Sequence, residues 1–131
     1  MAQEILVLAL AAVLLVLHIQ AAIRVKTKQY GIAWNIGARD ADMPPPVPLV
    51  GRLERARDNF LETLPIAIIA LFGVVVTEKT SEVTAIAGWT WLAARAVYLP
   101  LYWTGVPKVR TLVWAVGTLA ILVVLAILIF G

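Results

Sequence analysis

The chain has 131 residues and a formal net charge of +3, with 62% hydrophobic and only 15% charged residues. This composition, with a mean hydropathy of +0.92, excludes a disordered chain and is too apolar for a soluble globular protein of this size. The length fits one domain. We therefore expect a single membrane-embedded domain over residues 1–131.

Rare residue types exclude several chemistries. There is no cysteine, so a disulfide or thiolate metal site is impossible, and the single histidine, His18, cannot form a multi-histidine metal site within one chain. The single serine, Ser81, lies outside any G-x-S-x-G motif, and no Walker A or G-x-G-x-x-G pattern supports nucleotide binding. Basic loops at a membrane explain the charge better than nucleic acid does, so we expect no metal and no nucleic acid partner.

Four apolar segments follow one another along the chain. The first has 19 residues, which as a helix would measure about 28 Å, close to the thickness of a hydrocarbon core. It lacks the basic flank and small-residue cleavage site of a signal peptide, so we expect a retained helix. Short turns between the later segments favour an all-α, four-helix bundle of antiparallel neighbours. The predicted helices cover about residues 4–24, 49–77, 82–103 and 107–130.

A long polar connection, residues 24–48, separates the first two segments. It contains four prolines, and its length is typical of a functional or mobile loop. Seven basic residues lie between residues 24 and 57, and Lys108 and Arg110 lie on the same side, whereas Lys79 is alone on the other. Because basic residues concentrate in cytoplasmic loops, we expect this connection in the cytoplasm and both termini on the opposite side.

Polar side chains within the apolar segments predict a binding site, since charges are costly in a membrane and tend to mark function. The second predicted helix carries a cation, an amide and a carboxylate on one face, and the third carries a cation and two phenols on one face. A further arginine opens the fourth helix at the same end. We expect these groups to form a cavity for a small anionic ligand; they are Arg55, Asn59 and Glu62, then Arg95, Tyr98 and Tyr102, then Arg110.

Structural explanations compete for single members of this set. Glu62 and Arg95 could form a buried ion pair that only fixes helix register, and Asn59 could simply join two helices. His18 fits a hydrogen bond between helices better than a ligand role. The combined set is nevertheless larger than the fixing of register requires.

Two motifs resemble a known family. The run R-A-R-D-N-F-L-E-T-L-P over residues 55–65 resembles the R-A-x-x-N-x-x-E-x-x-P signature of the membrane-associated proteins in eicosanoid and glutathione metabolism (MAPEG), which include microsomal glutathione transferases. Arg95, Tyr98 and Tyr102, followed by Arg110, resemble the second motif of that family. Residues 37–40 and the proline run resemble a bacterial branch, and Trp114 stands where some relatives carry tyrosine.

The resemblance implies a homotrimer in a bacterial inner membrane, in contact with membrane lipids. It implies glutathione as co-substrate and activity as a glutathione transferase or peroxidase. The second substrate would be a hydrophobic small-molecule electrophile supplied by the bilayer. It implies a catalytic role for Arg110, which would stabilise the thiolate. Two alternatives stay open, a non-catalytic scaffold of the same fold and a small multidrug transporter, although the first helix has no acid beyond Glu4 at its edge. The glutathione-binding residues implied by the resemblance are Arg24, Arg55, Asn59, Glu62, Arg95, Tyr98 and Tyr102.

Overall fold

The protein is all-helical in the computed structural model, which describes residues 1–131. Four long helices form a bundle, and one short helix lies in the connection between the first two, followed by irregular backbone over residues 37–47. The elements are α1 (Gln3–Tyr30), α2 (Ile32–Ile36), α3 (Pro48–Val76), α4 (Glu82–Thr104) and α5 (Pro107–Phe130).

The first helix is longer than its apolar segment, so its predicted end near residue 24 is corrected to Tyr30. Residues 25–30 are polar but include no glycine or proline to break the helix. It stops at Gly31, whose φ of +96° is accessible mainly to glycine. With 28 residues, α1 measures about 42 Å, more than the roughly 30 Å of a hydrocarbon core. Its polar end, including Arg24, is therefore helical rather than part of a loop.

Local sequence signals explain the other helix ends. Pro48 and Pro107 begin α3 and α5, where the absence of an amide hydrogen costs nothing. Ser81 forms a capping box at the start of α4, because its hydroxyl accepts from the Thr84 N–H while its own N–H donates to Thr84 Oγ1. The helix ends at Gly105, which adopts the left-handed conformation with a φ of +75°.

The bundle has two central and two flanking helices. The helices α3 and α4 each contact all the other long helices, whereas α1 and α5 contact these two but not each other. The core between them contains Phe60, Leu71 and Trp91, with Val7 from α1 and Val124 from α5. Side chains from all four helices therefore close one core.

The outer surface of the bundle is apolar. Large hydrophobic side chains such as Val13, Ile69 and Leu119 are more than half exposed, which is a surface suited to lipid rather than to water. The helices α1, α3 and α5 are long and apolar enough to cross a membrane. The helix α4 does not reach the same apolarity, since it carries Arg95, tyrosines and tryptophans, but Arg95 is only 3% exposed. Its charge thus faces the protein interior, as charges in membrane bundles do.

A buried hydrogen bond joins α1 to α4, and its removal should be measurable. Thr84 Oγ1 donates to the Glu4 carboxylate at 2.7 Å, and Glu4 is 3% exposed. We expect Thr84→Val to lower the free energy of unfolding by about 1–3 kcal/mol, as measured by unfolding in detergent, because it leaves the Glu4 carboxylate without its donor and the Ser81 N–H of the capping box without its acceptor. Thr90→Val is the matched control, since the Thr90 hydroxyl bonds only the carbonyl of Ile86. Equal losses in the two variants would show that neither the Glu4 contact nor the capping box contributes to stability.

Candidate functional site

The polar residues of α4 lie on its buried side. Arg95, Tyr98 and Tyr102 are 3%, 5% and 8% exposed. The two tyrosine rings pack edge to face with centroids 5.1 Å apart, and the guanidinium carbon of Arg95 lies 4.5 Å from the centroid of the Tyr98 ring. Their i, i+3, i+7 spacing thus produces one continuous strip of polar groups that faces α3 and α5.

Arg95 binds Asn59 across the interface between α3 and α4. Its Nη1 donates to Asn59 Oδ1 at 2.7 Å, and its guanidinium carbon lies 5.0 Å from the centroid of the Phe60 ring. The alternative of a buried pair between Glu62 and Arg95 is wrong, because Glu62 is exposed and forms no ion pair. Phe60 is fully buried, and two residues later the helix has turned by about 200°, which points Glu62 away from the core.

Arg110 completes the strip from the first turn of α5. Its guanidinium carbon lies 4.4 Å from the centroid of the Tyr102 ring, a geometry that holds the cation over the aromatic face. The N-terminus of α5, which begins at Pro107, adds the positive end of a helix dipole at the same place. Negative charge is therefore stabilised here by both a side chain and the backbone.

These elements line a small, open polar cavity of about 110 Å³ between α3, α4 and α5. An anionic group in this cavity would meet an amide, a phenol and a guanidinium, which are all groups that can donate hydrogen bonds. The lining residues are Asn59, Tyr98, Arg110, Thr111 and Trp114. Arg95 is not among them; it lies behind Asn59 and holds the amide oxygen.

The eight residues predicted for the site fall into two groups. Five are linked by successive contacts within one chain, and the other three, Arg24, Arg55 and Glu62, are exposed and make no hydrogen bond or ion pair to another residue. Sequence reasoning also missed Thr111 and Trp114 as lining residues, for which the only signal was their position next to Arg110 and one turn after it. The linked residues are Asn59, Arg95, Tyr98, Tyr102 and Arg110.

His18 contributes to the packing beneath the cavity, and the expected hydrogen bond between helices is absent. Its Nδ1 lies 2.9 Å from the carbonyl oxygen of Leu14 in the same helix. The imidazole instead reaches α3 by stacking on the Phe60 ring, with centroids 5.0 Å apart and an interplanar angle of 11°. The one direct hydrogen-bond contact of His18 is therefore within its own helix, and its direct contact with α3 is aromatic.

A second polar cavity, of about 320 Å³, lies where the connection folds back on α1 and α3. Lys26 Nζ lies 3.4 Å from Glu54 Oε2, and the same carboxylate oxygen lies 3.8 Å from Arg57 Nη2. Trp34 and Arg39 complete the polar wall, with the guanidinium carbon of Arg39 at 4.7 Å from the centroid of the indole ring. The connection is thus anchored to the helix ends by charge and by aromatic contact.

Comparison with known proteins identifies the family. No curated protein and no solved structure matches the chain. The model of the MAPEG family, however, matches residues 5–130, which is nearly the whole chain. That family consists of four-helix membrane bundles that are typically trimeric and generally bind glutathione. The bundle with an apolar exterior and a polar strip inside agrees with that architecture, and the protein belongs to the MAPEG family as a multi-pass integral membrane protein.

Proposed function

We propose that the protein binds glutathione in the cavity between α3, α4 and α5 and transfers the glutathione thiolate to a lipophilic electrophile. The observation that carries this proposal is the convergence of Asn59, Tyr98 and Arg110 on one cavity at the N-terminus of α5. Each of the three supplies a hydrogen-bond donor, and the guanidinium and the helix dipole both favour an anion. The donors fit a thiolate or carboxylate of the tripeptide.

The size of the cavity supports a site shared between subunits. Pockets for ligands of this class measure about 300–1,000 Å³, whereas the cavity of one chain has about 110 Å³. The cavity would therefore hold one end of glutathione. The remainder would extend toward the exposed charges Arg55 and Glu62 and toward Arg24 of a neighbouring subunit.

In the proposed reaction, Arg110 acts on the thiol. A cation next to a thiol lowers the thiol pKa and raises the fraction of thiolate, which is the nucleophile. The contact with Tyr102 fixes the guanidinium, and Asn59 and Tyr98 would orient the peptide. The thiolate sulfur attacks the electrophilic carbon, an S–C bond forms, and the leaving group departs with the bonding electron pair. With a hydroperoxide, the sulfur would attack the terminal oxygen instead, the O–O bond would break, and the alcohol would leave after taking up a proton. The thiol of a second glutathione would then attack the resulting sulfenic acid, which gives glutathione disulfide and water.

An apolar groove between α4 and α5 offers a place for the electrophile. It has a volume of about 430 Å³ and is lined largely by apolar side chains, among them Ala94, Val97, Leu112 and Val116. Both helices that line it also carry the thiolate-stabilising groups. A lipophilic molecule could thus reach the sulfur from the lipid phase, without passing through water.

A calorimetric titration with glutathione, followed by turnover with a lipophilic electrophile, tests the proposal in detergent-solubilised protein. Saturable binding and glutathione-dependent conjugation would support a transferase. Saturable binding without turnover of electrophiles or hydroperoxides would favour the non-catalytic alternative. Absence of binding would overturn the proposal.

We further propose that the protein is a homotrimer. Arg55 and Glu62 are exposed on α3, and charged groups near the membrane interior need partners. A neighbouring subunit would supply those partners and complete the cavity. Native mass spectrometry across mild detergents should show three copies of the 14.2 kDa chain; monomers alone would contradict the assembly.

The proposed orientation places the connection in the cytoplasm of a bacterium and both termini outside it. It rests on the excess of basic residues in the connection and at the start of α5. We expect a reporter that is active only in the cytoplasm to work when fused at Asp40 and to fail when fused after Gly131. The reverse pattern would show that the basic residues do not set the topology.

A further inference from the structure

Three nitrogen atoms at the centre of the bundle are buried without a hydrogen-bond partner: His18 Nε2, Arg95 Nε and Arg95 Nη2. His18 is fully buried and Arg95 is 3% exposed. Both side chains contact the Phe60 ring, with the imidazole centroid and the guanidinium carbon each 5.0 Å from the ring centroid. Buried polar atoms nearly always have partners, so each of these three atoms calls for one, and the two side chains that carry them share Phe60 as a neighbour.

The three atoms are chemically complementary. Because Nδ1 of His18 faces a carbonyl oxygen at 2.9 Å, the ring hydrogen belongs on Nδ1, which donates to the Leu14 carbonyl. Nε2 then presents a lone pair and can only accept. The two Arg95 nitrogen atoms can only donate. A single water molecule between them would satisfy all three by accepting from Arg95 and donating to His18, since an internal water typically has two to four such partners.

We infer that His18 and Arg95 form a water-linked network that orients the Asn59 side chain, and that both act as positioning residues. Arg95 Nη1 donates to Asn59 Oδ1, so the amide oxygen must face Arg95. The amide nitrogen of Asn59 then faces the cavity that Asn59 lines. Without that restraint the amide could rotate by half a turn and present its oxygen, which repels an anion, to the ligand.

The hydrogen bonds of the His18 imidazole can be measured directly by NMR. His18 is the only histidine, so ¹⁵N labelling of histidine gives the signals of one imidazole. In ligand-free protein in detergent we expect a hydrogen on Nδ1 and an Nε2 that accepts a hydrogen bond. A hydrogen on Nε2, or an Nε2 without a hydrogen bond, would overturn the network. This readout is independent of glutathione, whereas the effect on ligand orientation rests on the proposed function.

Two variants test whether Arg95 is the group linked to His18 Nε2. Arg95→Lys keeps the charge but removes the donor geometry, so it should shift the Nε2 signal. Lys28→Arg on the same helix as His18 is the matched control, since Lys28 is exposed and lies outside the proposed binding site, and it should leave the signal unchanged. If the Nε2 signal is unchanged in Arg95→Lys, Arg95 is not part of the network. If that variant does not fold, the wild-type spectrum still shows whether the ring hydrogen lies on Nδ1 or on Nε2.

The positioning role is tested with His18→Phe, which keeps a stacked ring and removes the acceptor. We expect glutathione to bind about fivefold more weakly, which corresponds to one net hydrogen bond. His18→Gln, which can again accept, should recover part of the affinity. Unchanged affinity in His18→Phe, together with an intact Nε2 hydrogen bond in the wild type, would show a network that does not reach the ligand.

Discussion

Replacing Arg110 with alanine should raise the pKa of the bound glutathione thiol by about one to two units, the equivalent of a lost charge-assisted contact of about 1.5–3 kcal/mol. A cation lowers a thiol pKa, so its removal raises it and reduces the thiolate fraction near neutral pH by roughly 10- to 100-fold. The contact of Arg110 with the Tyr102 ring holds the guanidinium beside the cavity. Binding should largely persist, because Asn59 and Tyr98 still line that cavity.

Ultraviolet absorbance of the thiolate, followed against pH, measures this effect. Lys108→Ala is the matched control, since Lys108 is an exposed cation in the same helical turn that does not line the cavity. Glu62→Ala should weaken binding or folding without selectively changing the thiol. If Arg110→Ala leaves the titration unchanged, Arg110 is a lipid-headgroup anchor and not the group that stabilises the thiolate.

Two replacements of Asn59 should separate its roles in folding and binding. Asn59→Leu leaves the Nη1 donor of Arg95 without its acceptor, so the free energy of unfolding should fall by about 1.5–3 kcal/mol. Glutathione binding should be lost as well. Asn59→Asp keeps an acceptor for Arg95 and should therefore retain most of the stability. It replaces the amide donor that faces the cavity with a carboxylate, so glutathione should bind about 10- to 100-fold more weakly.

Chemical unfolding in detergent and calorimetric titration of the same two variants test this separation. The informative result is the difference between them: both bind poorly, but only Asn59→Leu is unstable. Normal affinity in Asn59→Asp would show that the amide nitrogen does not contact the ligand. Equal instability of the two variants would show that the Arg95 contact requires a neutral amide.

Helix placement was largely predictable, because long apolar runs and prolines mark where helices begin. The end of α1 was not, because the prediction stopped it at Arg24, the first charged residue after the apolar segment. Polar and charged residues can continue a helix beyond the hydrocarbon core of the membrane. The helix α1 continues over residues 25–30 until Gly31, where the backbone takes a conformation that other residues avoid.

The site was predictable as a set of residues but not as a set of contacts. Periodicity places Asn59 and Glu62 on nearly the same side of α3, yet only Asn59 meets Arg95. The burial of Phe60 between them decides how the helix is rotated, and this is a property of the whole core. Arg24, Arg55 and Glu62 lie outside the cavity, and spacing within the chain could not have shown this, because it depends on how each helix is rotated about its axis.

The polar character of α4 has a consequence for how the chain enters the membrane during synthesis. An arginine at the centre of an inserting helix costs about 2.5–3.5 kcal/mol, and α4 is the one long helix that does not reach the apolarity of a membrane span. Its partner Asn59 lies on α3, which is made first and is joined to α4 by a turn over residues 77–81. The two helices should therefore leave the insertion machinery as a hairpin, with Arg95 already paired, and an isolated α4 should be inserted poorly.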